Sequence, residues 1–161
     1  MTDLFPSMPE TSRIWIYQAN RLMTENEEAV LKEKAEGFVR SWESHGSRLK
    51  ADFVILHHLF LIFSVDENQH EASGCSINKS VHFVKDVQEA LGLNFFDRTL
   101  VSYFDSEARL RLMPMGQIKE EIASGDMNFN TLTFNNLVNN LQDLRANWIV
   151  PAGQNWMARF F

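Results

Sequence analysis

The sequence is poor in cysteine, because Cys75 is the only one among 161 residues. A single cysteine excludes an internal disulfide and a zinc site built from several thiolates. Cations are also in the minority: 15 Lys and Arg stand against 21 Asp and Glu, for a net charge of −6. A non-specific nucleic-acid binder needs grouped cations to neutralise phosphates, so this balance argues against nucleic-acid partners.

Segments that direct a chain to a membrane are lacking as well. The N-terminal stretch MTDLFPSMPE has no basic start followed by an apolar run, so no secretory signal is expected. The longest apolar run, residues 53–65, is short for a membrane span and contains His57 and His58. We therefore expect a soluble, cytoplasmic protein.

The chain is rich in apolar and aromatic residues. Hydrophobic residues make up 45% of it, with 13 Phe and 4 Trp, against 22% charged residues. Large aromatic side chains bury much surface per residue. At this length the composition predicts one globular domain, residues 1–161, with an aromatic-rich core.

The first two-thirds of the chain predict strands and helices in the order β-α-β-β-α-β. Thr24 and Glu27 have the spacing of a capping box at the start of the first helix. The predicted elements are a fully buried strand (14–19), a helix ended by Gly46, two strands (49–56 and 59–65), a helix (77–91) ended by Gly92, and a strand (100–104).

This order indicates the α+β class, with a mostly antiparallel sheet and a ferredoxin-like core. Too few residues separate the strands 49–56 and 59–65 for a crossover helix, so these two strands should be antiparallel. The strand 59–65 is apolar on both faces and should lie in the interior of the sheet.

The last third predicts a C-terminal extension of strands and helices. Its expected elements are a hairpin strand (110–113), a short helix from Pro114 to Gly125, a strand (131–134), and a last helix capped by Asn135 or Asn136 and stopped by Pro151. The aromatic tail (Trp156, Phe160 and Phe161) should dock onto the protein's own core, since exposed aromatic patches are rare on soluble monomers.

The segment from Asp66 to Ser80 is the best candidate site. A buried strand that leads through a polar loop into a helix gathers free N–H groups at the positive end of the helix dipole. The helix would begin after Ser76 as its N-cap. The ligand-binding candidates are Asp66, Glu67, Ser73, Gly74, Ser76 and Lys79.

Cys75 is the candidate nucleophile of this segment. At or just before a helix N-terminus, the unpaired N–H groups and the helix dipole favour a thiolate. His45 and His70 are the candidate general bases, and with Cys75 they form the candidate catalytic set. A lone cysteine is also a common core side chain, so that alternative stays open.

Metal and cofactor binding receive little support from the sequence. Asp66, Glu67, His70 and Glu71 offer oxygen and imidazole ligands, but no motif spacing orders them, so no metal site is predicted. The sequence identifies no cofactor and no particular small-molecule ligand. Pairing of identical copies through a sheet edge or the aromatic tail stays open.

Several stretches of the sequence resemble one family: SRIWIYQA, WESHG, SGCSINKSV, FFDR, TLTFNNLV and WIVPAGQNWMARFF. The family is a group of short, uncharacterised bacterial proteins that are often labelled "ABC transporter ATPase". That label implies nucleotide binding and hydrolysis. The run LFLIFSVDE is similar to a Walker B strand, in which Asp66 would hold Mg²⁺ and Glu67 would orient water.

A P-loop, however, needs two glycines separated by four residues and followed by Lys and Ser or Thr. Lys79 is followed by a serine, but Ser73 and Asn78 occupy the two glycine positions. We therefore predict no ATP hydrolysis by a P-loop mechanism. The favoured function is a small binding or interaction module that uses residues 66–80, and the alternative is an enzyme with Cys75 as nucleophile or redox thiol.

Overall fold

The computed structural model describes residues 4–68 and 70–161 and shows an α+β protein. Every strand pair within those residues is antiparallel, so the predicted fold class is confirmed. The chain divides into two compact units. The first comprises the described residues up to Phe96 with Asn139–Arg145, and the second comprises Asp97–Val138 and Ala146–Phe161. The expectation of a single domain stays a prediction.

The first unit holds two sheets and two long helices. Its elements are β1 (Arg13–Gln18), α1 (Glu25–Ser41), β2 (Glu43–Ser44), β3 (Ser47–Arg48), β4 (Lys50–Leu56), β5 (Phe60–Asp66) and α2 (Gly74–Leu91). The second unit is built around one sheet, and its elements are β6 (Leu100–Phe104), β7 (Leu110–Pro114), α3 (Ile118–Ser124), β8 (Leu132–Phe134) and β9 (Ile149–Pro151). The last helix, α4 (Leu141–Asn147), begins in the first unit.

The main sheet of the first unit has the strand order β1-β5-β4. All residues of β5 are buried, which confirms the predicted interior strand. Phe63 at its centre lies opposite Trp15 and Phe53 on the neighbouring strands. The ring centroid of Phe63 is 5.5 Å from that of Phe38 in α1 and 6.1 Å from that of Phe83 in α2. Both helices therefore pack on the same face of β5, around an aromatic core.

The order β1-β5-β4 is the one that a split β-α-β arrangement produces, with β5 between the two strands that α1 connects. The strand β6 would be the fourth strand of a ferredoxin-like sheet. It pairs with β7 and β8, in the order β7-β6-β8-β9 of the second unit.

Among the described residues, no helix combines the length and the hydropathy needed to cross a bilayer.

Two predictions for the first unit were wrong. The helix α1 starts at the predicted capping box, where the N–H of Glu27 donates to Thr24 Oγ1 at 3.1 Å and the N–H of Thr24 donates to Glu27 Oε1 at 2.9 Å. It ends at Ser41 and not at Gly46, because Trp42 adopts extended backbone and enters the core. The strand β1 is an edge strand with several half-exposed residues, so it is not fully buried.

The second unit confirms the predicted docking for Trp156 and Phe160, whereas Phe161 is exposed. Met157 is buried, and Trp156 and Phe160 pack against a core cluster that includes Val101 and Ile118. The helix α3 ends at Gly125, which has a φ of 86°, close to the predicted position. The tail therefore belongs to this unit's own core.

The predicted cap of the last helix was wrong. The N–H of Asp143 donates to Asn140 Oδ1 at 2.8 Å, so Asn140 opens the helix. Asn135 and Asn136 make other bonds, since Asn136 Oδ1 accepts from Trp148 Nε1 at 3.0 Å. The predicted stop residue, Pro151, closes β9.

Candidate functional site

The buried strand β5 ends in an acidic pair, and the first acid has a structural partner. Asp66 lies opposite Lys50 in the sheet, with 3.7 Å between Asp66 Oδ2 and Lys50 Nζ. Its other oxygen accepts the N–H of Asn68 at 3.0 Å. Both carboxylate oxygens of Asp66 thus have partners at the end of β5.

The second acid holds the loop that follows. Glu67 Oε2 accepts the N–H of Ala72 at 2.8 Å, and Glu67 Oε1 lies 3.5 Å from Arg13 Nε. The side chain of Glu67 thus connects the end of β5 to Ala72, the residue before the N-cap of α2.

The helix α2 begins earlier than the sequence predicts. Ser73, and not Ser76, is its N-cap: Ser73 Oγ accepts the N–H of Ser76 at 3.1 Å, and the helix starts at Gly74. The side chain of Ser76 is fully buried. Residues from Gly74 to Lys79 are helical, so they form no loop that would wrap around a phosphate chain.

A hydrogen bond between distant segments fixes the start of α2. The Nε1–H of Trp42 donates to the carbonyl oxygen of Ser76 at 2.8 Å, and the bond is buried. Trp42 immediately precedes the small hairpin of β2 and β3. The hairpin is therefore held beside the first turn of α2.

The tip of that hairpin is a two-residue turn made of His45 and Gly46. Their φ angles of 52° and 79° are both positive, as a type I′ turn requires. Gly46 has no penalty in this region, whereas His45 adopts it at some cost. The turn leaves the imidazole of His45 exposed beside the loop before α2.

The hairpin and residues 70–73 form an open cleft of about 340 Å³. Its lining brings together two of the three predicted catalytic residues and one predicted ligand-binding residue; it consists of Ser44, His45, Ser47, His70, Glu71, Ala72 and Ser73. Segments about 25 residues apart thus contribute to one concave, polar surface.

Other predicted residues lie outside the lining of this cleft. Cys75 is the second residue of α2 and is exposed, in agreement with its expected position at the start of the helix. Lys79 is also exposed, one turn further along. Across residues 4–68 and 70–161, no group of three or more His, Cys, Asp or Glu side chains is placed to hold a metal ion.

The sequence interpretation missed Ser44 and Ser47. Both belong to the hairpin, and Ser44 is buried while Ser47 is half-exposed. The dipeptide of His45 and Gly46 is a signal for such a turn, since type I′ turns favour Gly at the second central position.

No family model, curated protein or solved structure matches the chain.

Proposed function

We propose that this protein is a small binding module that holds a small anionic ligand in the cleft between the β2–β3 hairpin and the start of α2. The observation that carries the proposal is the meeting of His45, His70 and Ser73 around one cleft of about 340 Å³. That volume suits a phosphate- or carboxylate-bearing molecule of modest size.

The chemistry of the lining favours an anion. The imidazoles of His45 and His70 can donate hydrogen bonds to an anion. Next to the lining, the first turn of α2 follows Ser73 directly and carries the N–H groups of Gly74 and Cys75, which have no partner within the helix. One exposed carboxylate, on Glu71, opposes these donors.

Isothermal titration with inorganic phosphate at low ionic strength tests the proposal. Hydrogen bonds to a charged group contribute about 1.5–3 kcal/mol, so His45→Ala and His70→Ala should each weaken phosphate binding about tenfold or more. His82→Ala is the matched control, because His82 is exposed on α2 but does not line the cleft. Loss of binding in all three variants, or binding that none of them alters, would refute the proposal.

A second candidate function is an enzyme that uses Cys75. The observation in its favour is the exposed position of Cys75 in the first turn of an 18-residue helix, where a reagent can reach the sulfur. In this case Cys75 should react with iodoacetamide at neutral pH several-fold faster than glutathione does. His45→Ala and His70→Ala should slow that reaction. A rate equal to that of glutathione, unchanged in both variants, would exclude an activated thiol.

A further inference from the structure

The two edges of the sheet β1-β5-β4 differ in whether their main-chain groups are hydrogen-bonded to a neighbouring segment. The outer side of β1 is bonded to the stretch around Asn140: the N–H of Ile14 donates to the carbonyl of Asn139 at 3.0 Å, and the N–H of Leu141 donates to the carbonyl of Ser12 at 2.9 Å. Among the described residues, no strand pairs with the outer side of β4. An open edge of seven residues is a template for a further strand.

The main-chain groups on the outer side of β4 can be identified. The N–H of Phe53 donates to Asp52 Oδ1 at 2.8 Å, so it points away from β5. In an antiparallel ladder, every second residue directs its N–H and C=O outward. Ala51, Phe53 and Ile55 therefore offer their main-chain groups to an incoming strand, and Asp52 partly covers the middle one.

A groove runs beside this edge. It has a volume of about 720 Å³ and lies between β4 and α1, lined by Lys32, Glu36, Val39, Arg40, Asp52, Phe53, Val54 and Ile55. Phe53 lies directly opposite Phe63, whose side chain faces the helices, so the side chains of Phe53 and Ile55 face α1. The groove thus has an apolar floor under the open edge.

The helical wall of the groove has a distinct charge pattern. Lys32 and Arg40 make no ion pair with any described residue, and the Nε–H of Arg40 donates to the carbonyl of Glu36 at 3.2 Å. The two cations are eight positions apart on the helix, which corresponds to a rise of about 12 Å along its axis. In an extended strand, residues i and i+4 lie about 13 Å apart on the same face. Glu36 lies midway between the two cations on α1. Its carboxylate therefore disfavours an acidic side chain at position i+2 of a bound strand.

We propose that the groove between α1 and β4 binds an extended segment of a partner protein as an added strand. The segment has acidic side chains at positions i and i+4, which meet Lys32 and Arg40, and an apolar side chain at i+2 over Val39 and Phe53. A second copy fits less well, because β4 contains one acid and would leave a cation unmatched. The groove is separate from the cleft at the start of α2.

The test uses a capped, fluorescein-labelled peptide of seven residues, with Glu at its second and sixth positions, Val at its fourth and Thr elsewhere. Fluorescence anisotropy should show saturable binding that a scrambled peptide lacks. The same peptide, N-methylated at alternate residues on the edge that pairs with β4, should not bind, because strand addition depends on main-chain hydrogen bonds. This comparison leaves the protein unaltered.

Charge reversals on α1 test the second element of the proposal. Lys32→Glu and Arg40→Glu should each weaken peptide binding roughly 3- to 10-fold, since surface charge pairs make modest contributions. Lys34→Glu, on an exposed position of α1 outside the groove, is the matched control and should have little effect. Undiminished binding of the N-methylated peptide, or equal effects of all three reversals, would overturn the proposal. So would a dimer that forms through β4 and excludes the peptide.

Discussion

Trp42 connects the aromatic core to the candidate site. Its ring is almost fully buried, with its centroid 5.0 Å from that of Phe38, and its Nε1–H donates to the carbonyl of Ser76. Trp42→Phe removes the hydrogen bond and part of the buried ring. We expect the free energy of unfolding to fall by about 1–3 kcal/mol, measured by urea denaturation followed by circular dichroism.

A matched change at Trp15 separates this role from general loss of aromatic volume. Trp15 is half-exposed, on the edge strand β1. Trp15→Phe should therefore cost less than Trp42→Phe, and it should leave phosphate binding in the cleft unchanged. Equal losses of stability in the two variants would contradict the role assigned to the buried hydrogen bond.

The ion pair between His58 and Glu28 makes stability depend on pH. His58 Nδ1 lies 2.7 Å from Glu28 Oε2, and this hydrogen bond raises the pKa of His58 above its ordinary value of 6.5. The pair thus stabilises the fold fully below pH 6.5 and loses this effect as the pH rises through the folded-state pKa. Because the side chain of His58 is mostly exposed, a few tenths of a kcal/mol are expected.

Glu28→Gln should therefore lower the free energy of unfolding at mildly acidic pH and leave it unchanged at alkaline pH. Thermal unfolding at both pH values measures the difference. His82→Gln, at an exposed position of α2, is the matched control, because it removes a histidine that makes no ion pair with any described residue. A destabilisation by Glu28→Gln that is the same at both pH values would show that the pair is not the source of the pH dependence.

The turn between β4 and β5 places two consecutive non-glycine residues in the left-handed region. His57 and His58 both have a φ of 57°, and the N–H of Leu59 donates to the carbonyl of Leu56 at 3.1 Å. Non-glycine residues adopt this left-handed region at a cost, and asparagine tolerates it better than most. His57→Asn should therefore raise the free energy of unfolding by roughly 0.5–1 kcal/mol.

Equilibrium unfolding in urea measures that gain. His82→Asn is the control, because it makes the same exchange within a helix, where the two residues have similar propensities. It should leave stability nearly unchanged. A fall in stability with His57→Asn would mean that the contact of the His57 ring with Phe60 outweighs the backbone cost.

The ends of elements show what local sequence can and cannot predict. Gly92 ends α2 as predicted, with a φ of 66°, because an amphipathic helix followed by glycine has few alternatives. Gly46 also has a positive φ, but it serves a hairpin turn and not a helix end. Both roles require the same backbone region, and the choice depends on Trp42 leaving the helix for the core. That packing is tertiary, so no local pattern reveals it.

The candidate site was partly predictable for the same reason. The strand-loop-helix segment is local in sequence, and its pattern predicts Asp66, Glu67, Ser73 and Cys75 as candidate site residues. Ser44 and Ser47 of the hairpin also line the cleft. Their position there depends on the hydrogen bond between Trp42 and Ser76, which joins segments 34 residues apart. The roles of Asp66 and Glu67 as structural anchors likewise depend on Lys50 and Arg13, which lie on other strands of the sheet.

At the scale of the whole molecule, we expect no hydrolysis of Mg-ATP by a P-loop mechanism. Ser73 caps α2 and Gly74 begins it, so the residues before Lys79 cannot wrap around phosphates as a glycine-rich loop does. An assay of phosphate release from Mg-ATP checks this expectation. Turnover that disappears in Lys79→Ala and persists in Lys85→Ala, an exposed position further along α2, would show it to be wrong.

We propose that the start of α2 and the β2–β3 hairpin form an anion-binding cleft. Amide and imidazole NMR spectra recorded during a titration with inorganic phosphate test this proposal. The signals of Gly74 and Cys75 and the imidazoles of His45 and His70 should shift together and saturate with a single dissociation constant. Shifts centred on other exposed cations, such as Lys32 and Arg40 of α1, or shifts that never saturate, would contradict it.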